Sequence, residues 1–276
     1  MPTFRMPAIK YPVMPPENPV RSAFVDNVIG IMPRLECRRI KRSEDFDEVF
    51  RLRYRAYATN GLIEETESGV SVDSYDLLEN CQVFGLYLDG RLASSIRIHR
   101  VTPETPWCPA MKSFGELLRP ELEQGHSLID GSRFCVDPAV TPEVPFLPFL
   151  TVRIAYMASV YFSSTYNISV VRREHAAFYR RYYGFEKWAG DVDLGWYKLP
   201  VDLYVGDMRT NRERIDDRLP FMQSNIEERL MLFADELPYQ GLRSVRGMYG
   251  ILATNSVRDE TVPRKLHEWL GGATAG

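Results

Sequence analysis

The sequence lacks the residue clusters that mark metal-binding, disulfide-stabilised and nucleic-acid-binding proteins. Its 276 residues include only four cysteines and four histidines, and these lie far apart along the chain. This spacing provides neither metal-ligand pairs nor a disulfide framework, so we expect reduced thiols, no metal site and a cytoplasmic location. The net charge is −3. Because nucleic-acid binding needs a basic excess, we expect no nucleic-acid partner.

A long apolar run is also missing. The N-terminal stretch is interrupted repeatedly by proline, at Pro2, Pro7, Pro12, Pro15, Pro16, Pro19 and Pro33. It therefore predicts neither a secretory signal peptide nor a transmembrane segment. We expect an extended, proline-rich arm over residues 1–34 and a loose tail at the Gly-Gly-Ala-Thr-Ala-Gly end of the chain.

Charged residues interrupt one segment that otherwise has the composition of a core strand. Residues 127–136 are rich in Ile, Phe and Val, yet they include Asp130 and Arg133. Burying a charge is costly unless it is paired, so this pattern predicts a compensated network at a functional site. Strand alternation would place the two side chains on opposite faces, and a bulge at Gly131 would bring them to one face.

The remaining pattern predicts an α+β fold, with a mixed central sheet flanked by helices. We expect strands over 35–40, 127–136, 167–171, 185–188 and 196–205, and a hairpin over 82–100 that turns at Asp89-Gly90. Helices are expected after Ser43, over 146–162 and 174–182, and after a capping box over 224–227 with an apolar stripe of Ile226, Leu230, Phe233 and Leu237. These elements place one domain over residues 35–206 and a helical extension over 207–276.

Arg53 lies on the same predicted helical stripe as Phe46, Phe50 and Tyr57. A side chain in that position either extends its guanidinium to solvent at the edge of the stripe or pairs with a buried carboxylate. The sequence leaves both interpretations open.

Two sets of motifs resemble a known enzyme family. Residues 175–185, His-Ala-Ala-Phe-Tyr-Arg-Arg-Tyr-Tyr-Gly-Phe, resemble the A-x-x-F-Y-x-x-x-G-F segment of GNAT acyltransferases, with one extra residue before Gly184. The upstream spacing resembles acyl-homoserine-lactone synthases and, more closely, the related N-acyl amino acid synthases, the N-acyltyrosine synthases among them. That spacing runs through Arg53, Tyr57, Asp73, Asp76, Arg97 and Asp130-Gly-Ser-Arg-Phe134. Asp130 stands where the synthases have glutamate, Tyr57 where they have phenylalanine and Ile63 near their tryptophan, which argues against S-adenosylmethionine as co-substrate.

The resemblance implies a GNAT-like fold and transfer of a long-chain acyl group to the α-amine of an amino acid, possibly tyrosine. The donor would be the 4′-phosphopantetheine thioester of an acyl carrier protein. GNAT enzymes hold the coenzyme A pyrophosphate on a glycine-containing loop, whereas this chain has no glycine between Gly131 and Gly184. A helix N-terminus near Phe146 would suffice for the single phosphodiester of phosphopantetheine.

The resemblance also suggests roles for individual residues. No G-x-S-x-G nucleophile motif is present, which favours direct attack by the amine with Asp130 as general base. Asp130 would alternatively be a structural partner of Arg133 or Arg97. Tyr179 is the candidate for protonating the leaving thiolate.

Substrate-binding candidates follow from charge and apolarity. Arg97 or Arg133 would bind the substrate carboxylate, with Asp73, Asp76 and Arg53 completing the network. The acyl chain would contact Phe146, Phe149, Leu150 and Ile154, unless these residues are ordinary core. A basic patch of Arg172, Arg173, Arg180, Arg181 and Lys187 would dock an acidic carrier protein, unless these are simply solvated charges.

Three other readings remain open on the sequence. An acyl-homoserine-lactone synthase is disfavoured by Ile63, and a plain acetyltransferase by the missing glycine loop. A non-catalytic lipid- or partner-binding module on the same scaffold is disfavoured by the intact set of charged residues.

Overall fold

The computed structural model describes residues 23–195 and 197–234, which form one mixed sheet with helices on both faces. This architecture confirms the predicted α+β class. The strands are β1 (Leu35–Arg39), β2 (Cys81–Leu88), β3 (Arg91–Val101), β4 (Leu128–Val136), β5 (Tyr166–Arg172), β6 (Glu186–Val192) and β7 (Val201–Asp207). The helices are α1 (Ala23–Ile31), α2 (Ser43–Thr59), α3 (Pro109–Glu123), α4 (Leu147–Tyr161), α5 (Ala176–Phe178), α6 (Met208–Arg218) and α7 (Ile226–Phe233).

The described strands form a seven-stranded sheet in the order β1-β2-β3-β4-β5-β7-β6, and β4–β5 is the one parallel pair among them. β4 and β5 pair over only three positions, which end at Asp130 opposite Ile168. Beyond that point β4 pairs only with β3, and β5 only with β7. The two strands therefore diverge and leave an opening between residues 131–136 and residues 169–172, here called the strand gap.

The helices cover both faces of the sheet. α4, which connects β4 to β5, has all but three of its 15 residues buried, and it packs with α1 and α7 on one face. α2 covers the opposite face over β2, β3 and β4, and α3 covers it over β4, β5 and β7. Both faces are thus sealed, as a sheet with a central parallel pair requires. None of these helices combines the length and apolar composition needed to cross a bilayer.

Part of the predicted N-terminal arm is helical. Residues 23–31 form α1, and Val25 and Val28 on its inner face are buried in the core. This nine-residue segment contains no proline, and its apolar residues are spaced for one helical face, so packing makes it a helix. Residues 1–22, with six of the seven prolines of the predicted arm, lie outside the described part.

The predicted apolar stripe of α7 was wrong at two positions. Ile226 and Leu230 are exposed by 56% and 45%, whereas Phe233 is buried as predicted, together with Glu228 and Leu232. The helix is rotated because Glu228 pairs inside the protein with Arg153 of α4. Its N-terminal cap is Asn225, which accepts from the Glu228 amide, so the predicted Ser224 capping box does not form. The remaining stripe position, Leu237, and the predicted tail lie outside the described residues.

One other local prediction was wrong, and two helices were not predicted. Ser43 is the first residue of α2 and does not cap it, because Arg42 occupies the capping position without a side-chain bond. α3 was not predicted, since Gly115 and Pro120 within it resemble loop composition and its backbone is kinked at Phe114. α6, within the predicted C-terminal extension, was not identified individually either.

The extra residue of the family segment is accommodated by a change of helix type. α5 continues into a π-helical turn over Tyr179–Tyr183, which ends at Gly184 with a left-handed φ of 66°. A π turn holds one residue more than an α turn at each hydrogen bond, so it absorbs an insertion while the flanking residues keep their places. The turn positions Tyr179 against the core despite the altered spacing.

Candidate active site

Five predicted residues form one buried ion-pair network. Arg53 Nη1 of α2 lies 2.8 Å from Asp76 Oδ1, so Arg53 pairs with a buried carboxylate and does not extend to solvent. Arg97 Nη1 of β3 lies 2.5 Å from Asp73 Oδ1 and 3.1 Å from Asp76 Oδ2. Arg133 Nη2 of β4 lies 2.5 Å from Asp73 Oδ2. The network therefore joins a helix, two strands and the loop before β2.

Local backbone structure orients both the carboxylates of Asp73 and Asp76 and the side chain of Arg133. Asp73 caps a single 3₁₀ turn that contains Asp76, and the two residues form a reciprocal capping box. The Asp76 carboxylate accepts a hydrogen bond from the Asp73 N–H, and the Asp73 carboxylate accepts one from the Tyr75 N–H. On β4 an extra residue between Ser132 and Cys135 shifts the register against β3, and Arg133 has a φ of 50°. The bulge thus lies at Arg133 and not at Gly131 as predicted. The hydrogen bonds from the Arg133 side chain to Asp73 stabilise the left-handed backbone conformation of Arg133 that the bulge requires.

The two β-strand arginines differ in their exposure to solvent. Arg97 is 1% exposed, and it is held by Asp73, Asp76 and the Ser132 hydroxyl. The Arg133 side chain is 8% exposed and lies at the rim. Burial works to raise the pKa of Asp73, but the charges of Arg97 and Arg133 outweigh it and hold that pKa well below its usual value. Three guanidinium groups and two carboxylates leave the network with one net positive charge.

Asp130 lies beside this network at the apex of the strand gap and is 1% exposed. Its hydrogen bonds come from the Cys108 thiol and the Ala110 amide at the start of α3. Burial raises its pKa to about 6, against the opposing charge of Arg97. The predicted structural pairing with an arginine is therefore replaced by contacts to α3, and Arg97 acts on Asp130 through space.

Tyr179 approaches the strand gap from the opposite face of the sheet. It packs among the residues on the α4 side, and its hydroxyl hydrogen-bonds with Ser169, the first β5 residue past the last β4–β5 pair. Burial raises the pKa of Tyr179 to about 12, so the phenol keeps its proton at neutral pH. The structure thus brings Asp130 and Tyr179 to one opening, from its two sides.

The predicted acyl-contact residues are largely core. Leu150 and Ile154 have no exposed surface and are packed among α4, the sheet and the C-terminal helices. Phe149 lies in an aromatic cluster with Phe24 and Phe178, and Phe146 is only partly buried beside it. Of the four, only Phe146 is not fully within the core.

The predicted basic patch is mostly neutralised. Arg172 pairs with Glu174, Arg173 with Asp191 and Lys187 with Asp202. Arg180 and Arg181 remain exposed on the π turn, and α6 brings two further exposed arginines, Arg214 and Arg218, next to it. The positive surface is therefore centred on the π turn and α6, which the sequence did not reveal because α6 is distant along the chain.

Sequence reasoning missed two residues that contact Asp130. His99 of β3 is opposite Asp130 of β4, and its Nδ1 lies 3.9 Å from Asp130 Oδ2. Cys108 is the N-cap residue of α3. Strand alternation alone would have placed His99 on the same face as Arg97, but its pairing with Asp130 needed the register of β3 against β4.

No group of three metal-ligating side chains converges within residues 23–195 and 197–234.

A shallow cleft of about 200 Å³ lies elsewhere, on the outer side of α3 beside Pro103, Pro106 and Leu122. None of the predicted site residues lines it. The charged network and the strand gap are more informative about chemistry than this cleft is, because they concentrate buried ionisable groups at a backbone opening.

Comparisons with known proteins identify the family and the fold. The family model for FeeM, an N-acyl amino acid synthase, matches residues 48–203. The structure of FeeM from uncultured soil microbes is similar to this chain with a TM-score of 0.57 and 16% identity, over 69% of this chain and 99% of that one. TofI, solved in a ternary complex with an inhibitor and MTA, gives a TM-score of 0.51 and 14% identity, over 69% and 100%. The acyl-homoserine lactone synthase LasI gives 0.48 and 17%, over 62% and 88%.

A search of curated proteins gives no match. The two structures with the higher scores show a common fold, which confirms the expected GNAT-like architecture. The family model spans more than half of the chain and includes all five residues of the buried network. The chain is therefore an N-acyltransferase that belongs to the FeeM family of N-acyl amino acid synthases.

Proposed function

We propose that this enzyme transfers a long-chain acyl group from the phosphopantetheine thioester of an acyl carrier protein to the α-amine of an amino acid, with tyrosine as the first candidate. The observation that carries the proposal is the strand gap, with Asp130 at its apex and Tyr179 on its far side. A thioester in the gap would lie between a carboxylate that takes up protons and a phenol that retains one. The reaction then needs no acyl-enzyme.

The strand gap suits an extended phosphopantetheine arm. Where β4 and β5 diverge, each strand presents backbone N–H and C=O groups that its neighbour no longer uses. An amide-containing arm placed there hydrogen-bonds as an added strand does. Backbone N–H groups beside the bulge at Arg133 are the candidates for stabilising the oxyanion of the tetrahedral intermediate.

The start of α4 favours a carrier-protein donor over coenzyme A. The Leu147 and Phe149 amides are already bonded to the carbonyls of Val144 and Phe146, and Pro148 between them has no N–H. The backbone N–H groups of Leu147 and Phe149 at this helix start are therefore not available to bind a pyrophosphate. For the same reason they do not support the single-phosphate site predicted near Phe146. A phosphopantetheine attached to a protein is held instead by protein–protein contacts, so it does not depend on this site.

Arg133 is the best candidate for binding the carboxylate of the amino acid. It is at the rim of a network that has one net positive charge, while Arg97 is enclosed by three acceptors. A substrate carboxylate would neutralise that charge. It would also hold the amine on the Asp130 side of the gap, so that its proton reaches Asp130 directly or through one water.

The direct test is mass spectrometry of lipid extracts from cells that express the chain, with cells expressing Asp130→Asn as control. New N-acyl amino acids that require the unmutated chain would establish the reaction and identify both substrates. Acyl-homoserine lactones instead would reassign the acceptor. Neither product, even with a cognate carrier protein supplied, would contradict the proposed transfer.

Carrier-protein docking is expected to depend on the π turn and α6. Reversing the charge at two exposed positions, in Arg181→Glu/Arg218→Glu, is expected to raise KM for acylated carrier protein about tenfold or more, with kcat little changed. The reason is that steering of an acidic partner acts on association. The measurement is steady-state kinetics at low and high salt.

The matched control for docking is Arg119→Glu, an exposed arginine on α3 across the sheet. Its KM is expected to stay near that of the unmutated enzyme. Equal effects from both variants, or a KM for the double variant that is unchanged at low salt, would place the docking surface elsewhere.

A further inference from the structure

His99 has a defined protonation state. Its Nε2 lies 3.0 Å from the backbone carbonyl oxygen of Tyr75, and a carbonyl only accepts, so Nε2 carries the hydrogen. Burial, reinforced by the charge of Arg97, lowers the pKa of His99 to about 3. The ring is therefore neutral at physiological pH, with a bare acceptor at Nδ1.

That bare nitrogen faces an equally bare oxygen. His99 Nδ1 and Asp130 Oδ2 are 3.9 Å apart, and neither has a hydrogen-bond partner among the described residues. Both side chains are at most 1% exposed. Two buried acceptors facing each other are unfavourable while Asp130 is ionised, and they become a hydrogen-bonded pair when a proton lies between them. The site is thus built for the protonated form of Asp130.

We propose that His99 is a positioning residue that receives a hydrogen bond from Asp130 once Asp130 has taken the proton of the substrate amine. The proposal deepens the proposed function and rests on it for the source of that proton. A small approach of the two side chains brings their separation to an ordinary hydrogen-bond distance. His99 thereby selectively stabilises the protonated base, which makes Asp130 a stronger proton acceptor than its other contacts would allow.

The proton balance is complete with the groups already described. The substrate ammonium gives one proton to Asp130 Oδ2, and the neutral amine attacks the thioester carbonyl. The C–N bond forms and the C–S bond breaks. The second amine proton leaves with the thiolate as the thiol, and Asp130 returns its proton to solvent. His99 stays neutral throughout and only accepts a hydrogen bond.

The other charged and titratable groups around the pair keep their states near neutral pH. Arg97 remains a cation, and the pKa values of Asp73 and Asp76 are lowered by the neighbouring arginines against the effect of burial. Burial raises the pKa of the Cys108 thiol far above its usual value. A titration between pH 5 and pH 8 at this site therefore reports Asp130.

Two substitutions separate the two nitrogens of His99. His99→Gln retains a donor close to the Nε2 position, and so the contact to Tyr75, but removes the acceptor at Nδ1. His99→Asn retains an acceptor close to Nδ1 and gives up the Tyr75 contact. The readout is the Asp130 carboxyl signal in ¹³C NMR of the protein without substrates, assigned with Asp130→Asn.

His99→Gln is expected to lower the proton affinity of Asp130 about tenfold, which is a fall of about one pH unit in its midpoint. His99→Asn is expected to stay close to the unmutated protein. In active enzyme, the acidic limb of kcat/KM should move to lower pH by the same amount in the Gln variant. An unchanged Asp130 midpoint in His99→Gln would overturn the proposal.

A second measurement uses the unmutated protein and so does not depend on variants that fold. ¹⁵N NMR of His99 should show hydrogen on Nε2 and a bare Nδ1 at pH 8, with the Nδ1 signal shifting as Asp130 takes up its proton near pH 6. A hydrogen on Nδ1 at pH 8 would overturn the proposal. These titrations need no substrate, so a failure of the acyl-transfer assignment would appear in the lipid analysis and leave them unaffected.

Discussion

Asp130→Asn is expected to lower kcat/KM for acyl transfer by about 10²- to 10⁴-fold, the range that a positioned general base contributes. The amide cannot take the proton from the amine, and no other described carboxylate lies at the apex of the strand gap. In the unmutated enzyme the base must be ionised. Activity should therefore be present above the Asp130 pKa of about 6 and fall as the pH drops through it.

The same substitution should not unfold the protein. Asparagine keeps an oxygen that accepts from Cys108 and Ala110, and its NH₂ donates to the bare His99 Nδ1. A folded-state pKa above the unfolded value means that Asp130 stabilises the fold below about pH 4 and that this contribution is lost as the pH rises through 6. Asp130→Asn is thus expected to melt at or above the temperature of the unmutated protein at pH 8.

Asp216→Asn is the matched control, because burial raises the pKa of Asp216 as well, and that carboxylate bonds Tyr156 outside the network. Its kcat/KM should stay within a few fold of the unmutated enzyme. If Asp130→Asn instead retained activity within tenfold, the general base would have to be another group, and the proposed role of Asp130 would fail.

Glu228→Ala is expected to reduce the free energy of unfolding by about 3–5 kcal/mol, the cost of leaving a buried charge without its partner. Glu228 Oε1 and Oε2 accept from Arg153 Nη1 and Nη2 at 2.5 and 2.8 Å. Arg153 also donates to the carbonyls of Phe221 and Gln223, and its side chain has no exposed surface. The pair fixes α7 onto α4, so urea unfolding should show a lower midpoint.

Two controls separate this effect from helix propensity. Glu227→Ala changes the exposed neighbour in the same turn, and its effect is expected to be below about 1 kcal/mol. The double variant Arg153→Met/Glu228→Leu removes both charges together, and it should recover most of the lost stability. A Glu228→Ala variant as stable as Glu227→Ala would show that the pair is not needed to hold α7.

The sequence predicted most of the sheet because strands and hairpins leave local signals. The Asp89-Gly90 turn has the positive φ angles expected of a two-residue hairpin, and β1, β4, α4 and β5 appear within a residue or two of their expected bounds. α1 and α3 were not predicted from the sequence, because the prolines and glycines around and within them suggest loops. Packing against the core overrides that local preference.

The sequence also predicted a compensated network of Asp73, Asp76, Arg97, Asp130 and Arg133, since charges in apolar segments must find partners, and it left open whether Arg53 joins that network. The sequence did not determine which arginine pairs with which carboxylate. The bulge at Arg133, the closed environment of Arg97 and the pairing of Glu228 with Arg153 all depend on register and on helix rotation. These are decided by contacts between segments distant in sequence.

By itself the sequence determined the fold class and the residues that carry charge into the core, because these follow from composition and periodicity, and the family was indicated by the resemblance of its motifs. Only the tertiary structure decided that Asp130 is held by α3 and faces the bare nitrogen of His99, at the point where β4 and β5 diverge. The physical reason is that the pKa of a buried group depends on the atoms within a few ångströms of it, and those atoms come from elements far apart along the chain.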